Sequence, residues 1–369
     1  MNSISSAHHV VVYHDPTKWA AVPANNSANG PNWQWDNEMV VGFTRGEADF
    51  SGGGHQVADD KPQLSWLARS KDGGETWTVW DPEGYQGDPG HRMDDAVPPL
   101  GGINFTCPGF MLRVEGYGYH GNFGQQWLYS LDKGASWKGA YTFGDLLQHP
   151  ELAGKQFTSR TAYIVNGPSD CFLFLSVRAP NLDINVISPT DKVFLVKTTD
   201  GGKTFRFVSW VVSPEDPSRA VMPAPVRISA TKMVVAIRRR NDKESIVCWI
   251  DCYQSTDNGE SWVFLSKVGD TGGSNGNPPA MIRMIDGRLC CTYANRDRRA
   301  MLARFSTDEG KTWGAELLLR DDMKSVNGSA DIGYPRLFQR PDGKLVTVYF
   351  WCSPERPETH IAATIFTPE

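Results

Sequence analysis

An all-β, six-bladed propeller is the fold this sequence predicts, and three observations predict it. A short turn motif recurs five times at blade-length spacing. A C-terminal unit of three strand-like runs lacks the motif. One N-terminal strand-like run is left over to complete that unit.

The motif reads [ST]-x-Asp-x-Gly-x-[ST]-[WF]. It occurs as SKDGGETW at Ser70–Trp77, SLDKGASW at Ser130–Trp137, TTDGGKTF at Thr198–Phe205, STDNGESW at Ser255–Trp262 and STDEGKTW at Ser306–Trp313. Successive Asp residues lie 60, 68, 57 and 51 positions apart. Each residue type has a physical task in a tight turn. The Asp accepts hydrogen bonds from turn amides, the Gly permits positive φ, and the closing aromatic packs between sheets. Strand-like runs flank the copies, such as LSWLAR before the first and MLARF before the fifth. The motif is therefore read as a hairpin turn. A period of 50–70 residues with about four short strands is a propeller blade.

Five blades with the motif span roughly Glu38 to Leu319. YPRLFQ, KLVTVYFW and HIAATIF form the sixth, and HHVVVYH at the N-terminus supplies its fourth strand. The expectation is one domain over residues 1–369, with four-stranded antiparallel blades and the last blade closed by the N-terminal strand.

Composition agrees with many turns and a large core. Hydrophobic residues make up 40% of the 369, with 13 Trp, 17 Phe, 36 Gly and 24 Pro. Net charge is −5 and no long basic run occurs, so nucleic acid is not the expected partner. No apolar run has the roughly 18 residues of a membrane helix. Met1 to Val10 has no signal-peptide core, so the chain as it stands is expected in the cytosol, or outside the cell if a leader precedes it. The seven cysteines lack metal or redox spacing and read as buried thiols. No metal site, cofactor or phosphate-binding fingerprint is expected.

The repeat resembles the Asp-box of the sialidase superfamily, and the likeness covers nearly the whole chain. It implies a structural role for the five Asp carboxylates, and a catalytic site at the propeller axis. That family's site holds three arginines on the substrate carboxylate, a Tyr nucleophile activated by a Glu, and an acid/base Asp. DIGYPRLFQRPDGKL places Tyr334 at the nucleophile position, with Arg336 two residues on as a binding candidate. NRDRRAMLARF places Arg299 at the third arginine, with Arg296 and Arg298 beside it. The first arginine is replaced by Ala21, and RAVMPAPVRIS has no acid where the Glu belongs. Arg238, Arg239 and Arg240 lie near the second arginine position, one strand early.

The acid/base loop is also changed. It reads TRGEADFSGGGHQVADDKPQ, with His55 after three glycines and Asp59 shortly after. A His over a ligand cleft can act as acid or base near neutral pH, so His55, Tyr334 and Asp59 are the catalytic candidates. Arg160 and Tyr163 in FTSRTAYIV, Asn277 in GNPPAMIR, and His91 and His120 in Gly-rich loops complete the binding candidates with Arg296, Arg299 and Arg336. The resulting expectation is an exo-acting glycosidase on an oligosaccharide or polysaccharide with an acidic sugar, departing from ordinary sialidases. A set rich in His, Tyr and Arg also suits β-elimination beside a uronate, while six blades weigh toward hydrolysis. A non-catalytic glycan-binding propeller is the third expectation.

Overall fold

The computed structural model describes residues 2–3, 7–22, 33–58, 60–85, 97–99, 102–115, 126–178 and 191–368. It is a ring of six antiparallel sheets. Blade one comprises Lys18–Ala21, Glu38–Glu47, Leu64–Ser70 and Thr78–Trp80, with the short Gln34–Trp35 added. Blade three comprises Gln156–Val165, Cys171–Arg178, Lys192–Thr198 and Arg206–Trp210. Blade four comprises Arg219–Arg227, Met233–Asn241, Val247–Ser255 and Val263–Gly272. Blade five comprises Ala280–Arg283, Leu289–Asn295, Ala300–Ser306 and Leu317–Arg320, and Asn2–Ser3 pairs parallel to its outer edge. Blade six comprises Gly333–Gln339, Leu345–Trp351, His360–Phe366 and His8–Tyr13.

The N-terminal strand thus closes the last blade as expected, with His9 opposite Thr364 and Val11 opposite Ala362. Blade two shows three strands among the described residues. They are Met111–Glu115, Gln126–Ser130 and Lys138–Thr142, the last two joined by the second repeated turn, and Val97 bridges Tyr141 on the outer edge. The cysteines are unpaired thiols, and all but Cys107 are buried.

The five repeated turns share one hydrogen-bond pattern. In the fourth, Asp257 accepts from Ser255 Oγ at 2.8 Å, Ser261 N at 3.0 Å and Ser261 Oγ at 2.5 Å. Ser255 Oγ in turn accepts the Gly259 amide at 2.7 Å. Asp72, Asp132, Asp200 and Asp308 accept the equivalent bonds from the amide and hydroxyl of Thr76, Ser136, Thr204 and Thr312. Gly259 has φ +93°, and a Cβ there would lie 2.4 Å from Leu195 Cδ2 of blade three. The turn glycine therefore lets one blade seat against its neighbour.

Apolar side chains fill the spaces between blades. The ring closes on such a layer: Trp19, Met39 and Phe43 of blade one pack with Phe338, Val346, Phe350 and Ile365 of blade six. The first strand of each of blades three to six, and Lys18–Ala21 of blade one, line the axis. Since strands alternate direction, the turns joining third to fourth strands emerge on one face. The connections joining second to third strands, and blade to blade, emerge on the other. That second face carries His55, Asn277, Arg296, Arg299 and Asp331.

Candidate active site

Three inner strands are bulged at the axis, one of them between Thr158 and Ala162 in blade three. In the other two the pairing register shifts between Val221 and Ala224 in blade four, and between Gly333 and Arg336 in blade six. Met222 and Tyr334 occupy these bulges with φ +57° and +54°, and each precedes a proline. Left-handed backbone at a non-glycine residue is sparsely populated and clusters at functional sites. The two bulges meet, because Tyr334 packs against Val221 and Met222.

Arg238, on the second strand of blade four, reaches the same place. Its Nη1 donates to Tyr334 Oη at 3.1 Å and to Met222 Sδ at 3.4 Å. Its Nη2 donates to Asn275 Oδ1 at 3.0 Å and, more closely, to the Asn275 carbonyl. The guanidinium is buried, and every acceptor among these is uncharged. A buried cation held only by neutral acceptors is poised to interact with an anion.

Beside this pair stands a second. His55 Nδ1 donates to Asp331 Oδ1 at 2.5 Å. Asp331 is fully buried, and its Oδ2 accepts from Trp19 Nε1 at 2.9 Å, Thr359 Oγ1 at 2.7 Å and the Gln56 amide at 3.2 Å. Burial alone would raise the Asp331 carboxyl. The His55 charge and the hydrogen bonds from His55 and Thr359 overcome it and hold the group down at about 2. Burial likewise acts to lower His55, yet the Asp331 charge and bond raise it above its ordinary value, against the opposing charge of Arg296. With Nδ1 engaged, Nε2 is the nitrogen that can exchange a proton with a ligand. The His55 side chain is 25% exposed. The His55 and Tyr334 rings both pack on Phe350, with centroids at 6.4 and 5.5 Å.

Arg296 completes the cluster. Its Nη1 donates to the Ala330 carbonyl at 3.0 Å, and its Nε and Nη2 have no hydrogen-bond partner among the described residues. Its charge acts on His55, Asp331 and Arg238 alike.

The remaining sequence candidates fall elsewhere. Arg299, expected on the substrate carboxylate, is exposed and donates from Nη2 to the Gly328 carbonyl at 2.9 Å, on the rim. The turn from Asn295 to Ala300 sends Arg296 inward and Arg299 outward. Tyr163 does not line the cleft: it is buried between blades two and three, where its hydroxyl accepts from Trp33 Nε1 at 3.1 Å and the Leu112 amide at 3.4 Å. Asn277 is fully buried, so it braces the site instead of meeting a sugar from solvent; its Oδ1 accepts the Tyr334 amide at 3.1 Å. Arg336 is buried beneath Tyr334 and donates to the Pro335 carbonyl at 2.9 Å; burial lowers its guanidinium to about 9. Asp59, His91 and His120 lie outside the described residues, as does the side chain of Arg160. Ala21 is buried on the inner strand of blade one.

Sequence reasoning missed Asp331. Its signal was present three residues before Tyr334, in DIGY, but nothing local tells a buried histidine partner from a loop carboxylate. Met222 also went unnoticed as the side chain facing Tyr334 where an acid was sought.

Comparison with known proteins agrees with this architecture. The family model described as a BNR repeat-like domain matches residues 111–347. No curated protein sequence matches the chain. A Dyadobacter fermentans protein of unknown function is similar in structure at 19% identity, over 99% of this chain and all of its own, with TM-score 0.67. A Penicillium chrysogenum α-L-arabinanase, solved with arabinobiose, is similar at 12% identity over 97% of both chains, with TM-score 0.57. A Hadza microbial sialidase is similar at 14% identity over 95% of this chain and 66% of its own, with TM-score 0.59. The repeated turns, the six blades and the matched family model together make this chain a member of the BNR repeat-like domain family, built on the six-bladed sialidase-like propeller.

Proposed function

We propose that this protein is an exo-acting glycoside hydrolase that cleaves a terminal glycosidic bond involving an acidic sugar, and that it is not an ordinary sialidase. The observation that carries the reading is the convergence of two pairs, His55–Asp331 and Tyr334–Arg238, around Phe350. The structurally similar arabinanase and sialidase support a saccharide as the ligand. In this reading Tyr334 reacts as its phenolate, Oη attacking the anomeric carbon while charged His55 protonates the leaving oxygen from Nε2, and the phenolate is released again on hydrolysis. Arg238 stabilises negative charge on the attacking oxygen. His55, now neutral, takes a proton from water as the glycosyl–tyrosine bond is hydrolysed. Arg238 and Arg296 supply the positive charge that an acidic sugar matches.

One observation favours a second reading, β-elimination. Asp331 is buried and engaged with four donors, so it cannot serve as one of the paired substrate-facing carboxylates that most glycosidases use. A His and a Tyr then act as base and acid beside a uronate held by arginine. A screen of oligosaccharides with uronate or sialate termini separates the readings. New reducing ends without new ultraviolet absorbance support hydrolysis; absorbance from an unsaturated uronate supports elimination. Tight binding without turnover would leave only a glycan-binding propeller and refute both.

A further inference from the structure

The short connection between blades four and five touches both members of the Tyr334–Arg238 pair. Asn275 accepts from Arg238 Nη2 with its side-chain oxygen at 3.0 Å and with its carbonyl. Two residues on, Asn277 Oδ1 accepts the Tyr334 amide at 3.1 Å. Gly276 between them has φ +61°, and a Cβ there would stand 2.5 Å from Cys248 Cβ and 2.8 Å from Thr271 Oγ1. Only glycine lets the chain turn there while an Asn on either side reaches a different blade.

Across the contact, Gly333 has φ +117°, and a Cβ on it would fall 1.8 Å from Asn277 Oδ1. The bulge therefore has space for the Asn277 oxygen only because residue 333 is glycine. Tyr334 itself has φ +54° and precedes a proline, a setting that favours extended backbone instead. Such a conformation persists when its surroundings enforce it. The bond from the Tyr334 amide to Asn277 is one such enforcing contact. The Asn277 Nδ2 is buried with no partner among the described residues, so the oxygen is the atom by which this side chain acts.

We propose that Asn275-Gly276-Asn277 is the positioning element of the site, holding the Arg238 guanidinium and the Tyr334 phenol against each other. Asn277 and Asn275 are positioning residues that act through Tyr334 and Arg238. The inference rests on the reading of Tyr334 as a reacting group. A merely structural Asn277 would satisfy one buried amide, and its loss would lower stability alone.

The test is Asn277→Leu, close in size without an acceptor, beside Asn277→Asp, which keeps one. Turnover is read by reducing ends from oligosaccharides ending in glucuronic, galacturonic or N-acetylneuraminic acid. Nitration of Tyr334 by tetranitromethane, read by peptide mass, needs no substrate. The expected result is a kcat loss of about a hundredfold in Asn277→Leu, with KM nearly unchanged and most activity restored in Asn277→Asp. Tyr334 should nitrate several-fold faster in Asn277→Leu, and the Asn277→Leu/Tyr334→Phe double variant should be no slower than Tyr334→Phe alone. A folded Asn277→Leu with wild-type nitration overturns the proposal, as does a loss that adds to that of Tyr334→Phe. If Asn277→Leu does not fold, Asn275→Ala takes its place, and an unchanged nitration rate there is equally fatal. If the wild type turns over none of the saccharides, the hydrolase reading fails while nitration still decides the positioning role.

Discussion

His55 Nδ1 lies 2.5 Å from Asp331 Oδ1, although the two residues are 276 positions apart and belong to opposite ends of the propeller ring's closure. The carboxylate is fully buried and the imidazole is its bridge to solvent. This arrangement fixes the imidazole's orientation and favours its charged form. His55→Ala should slow turnover by at least about a hundredfold. Asp331→Asn should cost a comparable factor while leaving KM nearly unchanged, since it withdraws support from His55 without touching substrate. Equal activity in Asp331→Asn, measured by initial rates, would show that the pair is structural.

The same pair sets a pH dependence. His55 is raised above its ordinary 6.5 by Asp331. As the proton donor it is active when charged, so kcat should fall as pH rises through its raised value. Its contribution to stability has the same sign: full below 6.5, and lost as pH rises through the folded value. Asp331, held at about 2, contributes oppositely. Its stabilisation is present above its ordinary 3.8 and is lost as pH falls toward 2. The His55→Ala variant should lack the alkaline part of the stability loss in thermal melts across pH.

Arg296, and not Arg299, should govern binding. Arg296→Ala is expected to raise KM strongly for a charged substrate and weakly for its methyl ester. Arg299 bonds a loop carbonyl from an exposed position, so Arg299→Ala should change both by little. A larger effect at Arg299 in titration calorimetry or kinetics would reverse this assignment.

Turnover of an aryl sialoside should be absent or very weak. Ala21 offers no guanidinium, and the thioether of Met222 lies beside Arg238 and Tyr334 where the resemblance calls for an acid. Release of the aryl group at a rate comparable to a sialidase would refute this.

The turns should carry stability and no catalysis. Asp257→Ala removes three accepted hydrogen bonds and should cost about 1–3 kcal/mol without altering substrate affinity of the folded fraction. Gly259→Ala should also destabilise, since it forces a Cβ at φ +93° to within 2.4 Å of Leu195. Gly53→Ala should not, because a Cβ there meets nothing within 4 Å; a gain of about 0.4–1 kcal/mol is expected from the stiffer unfolded chain. Denaturant melts of the three variants check the ordering.

The blade architecture was determined by local chemistry. Each bond of an Asp turn joins residues no more than four apart in sequence, such as Ser255 with Gly259 and Asp257 with Ser261, so the motif announces the turn that it builds. Counting such turns, and noting one unit without them and one N-terminal strand to spare, yields six blades and their closure. The candidate site is assembled the other way. Tyr334 was legible because its strand resembles a known one, and His55 because a histidine after three glycines stands out. Arg238 stood out only as one of three arginines near the second arginine position, and Asp331, Met222 and the inward turn of Arg296 were not legible, because their roles depend on which blades become neighbours. Arg238 and Tyr334 are 96 residues apart in sequence, and only ring closure, driven by apolar packing between blades, brings their polar atoms together. The sequence by itself thus determined the repeating frame, and the tertiary structure alone decided which charged groups face one another at its axis, because electrostatic partnership follows distance in space and not distance along the chain.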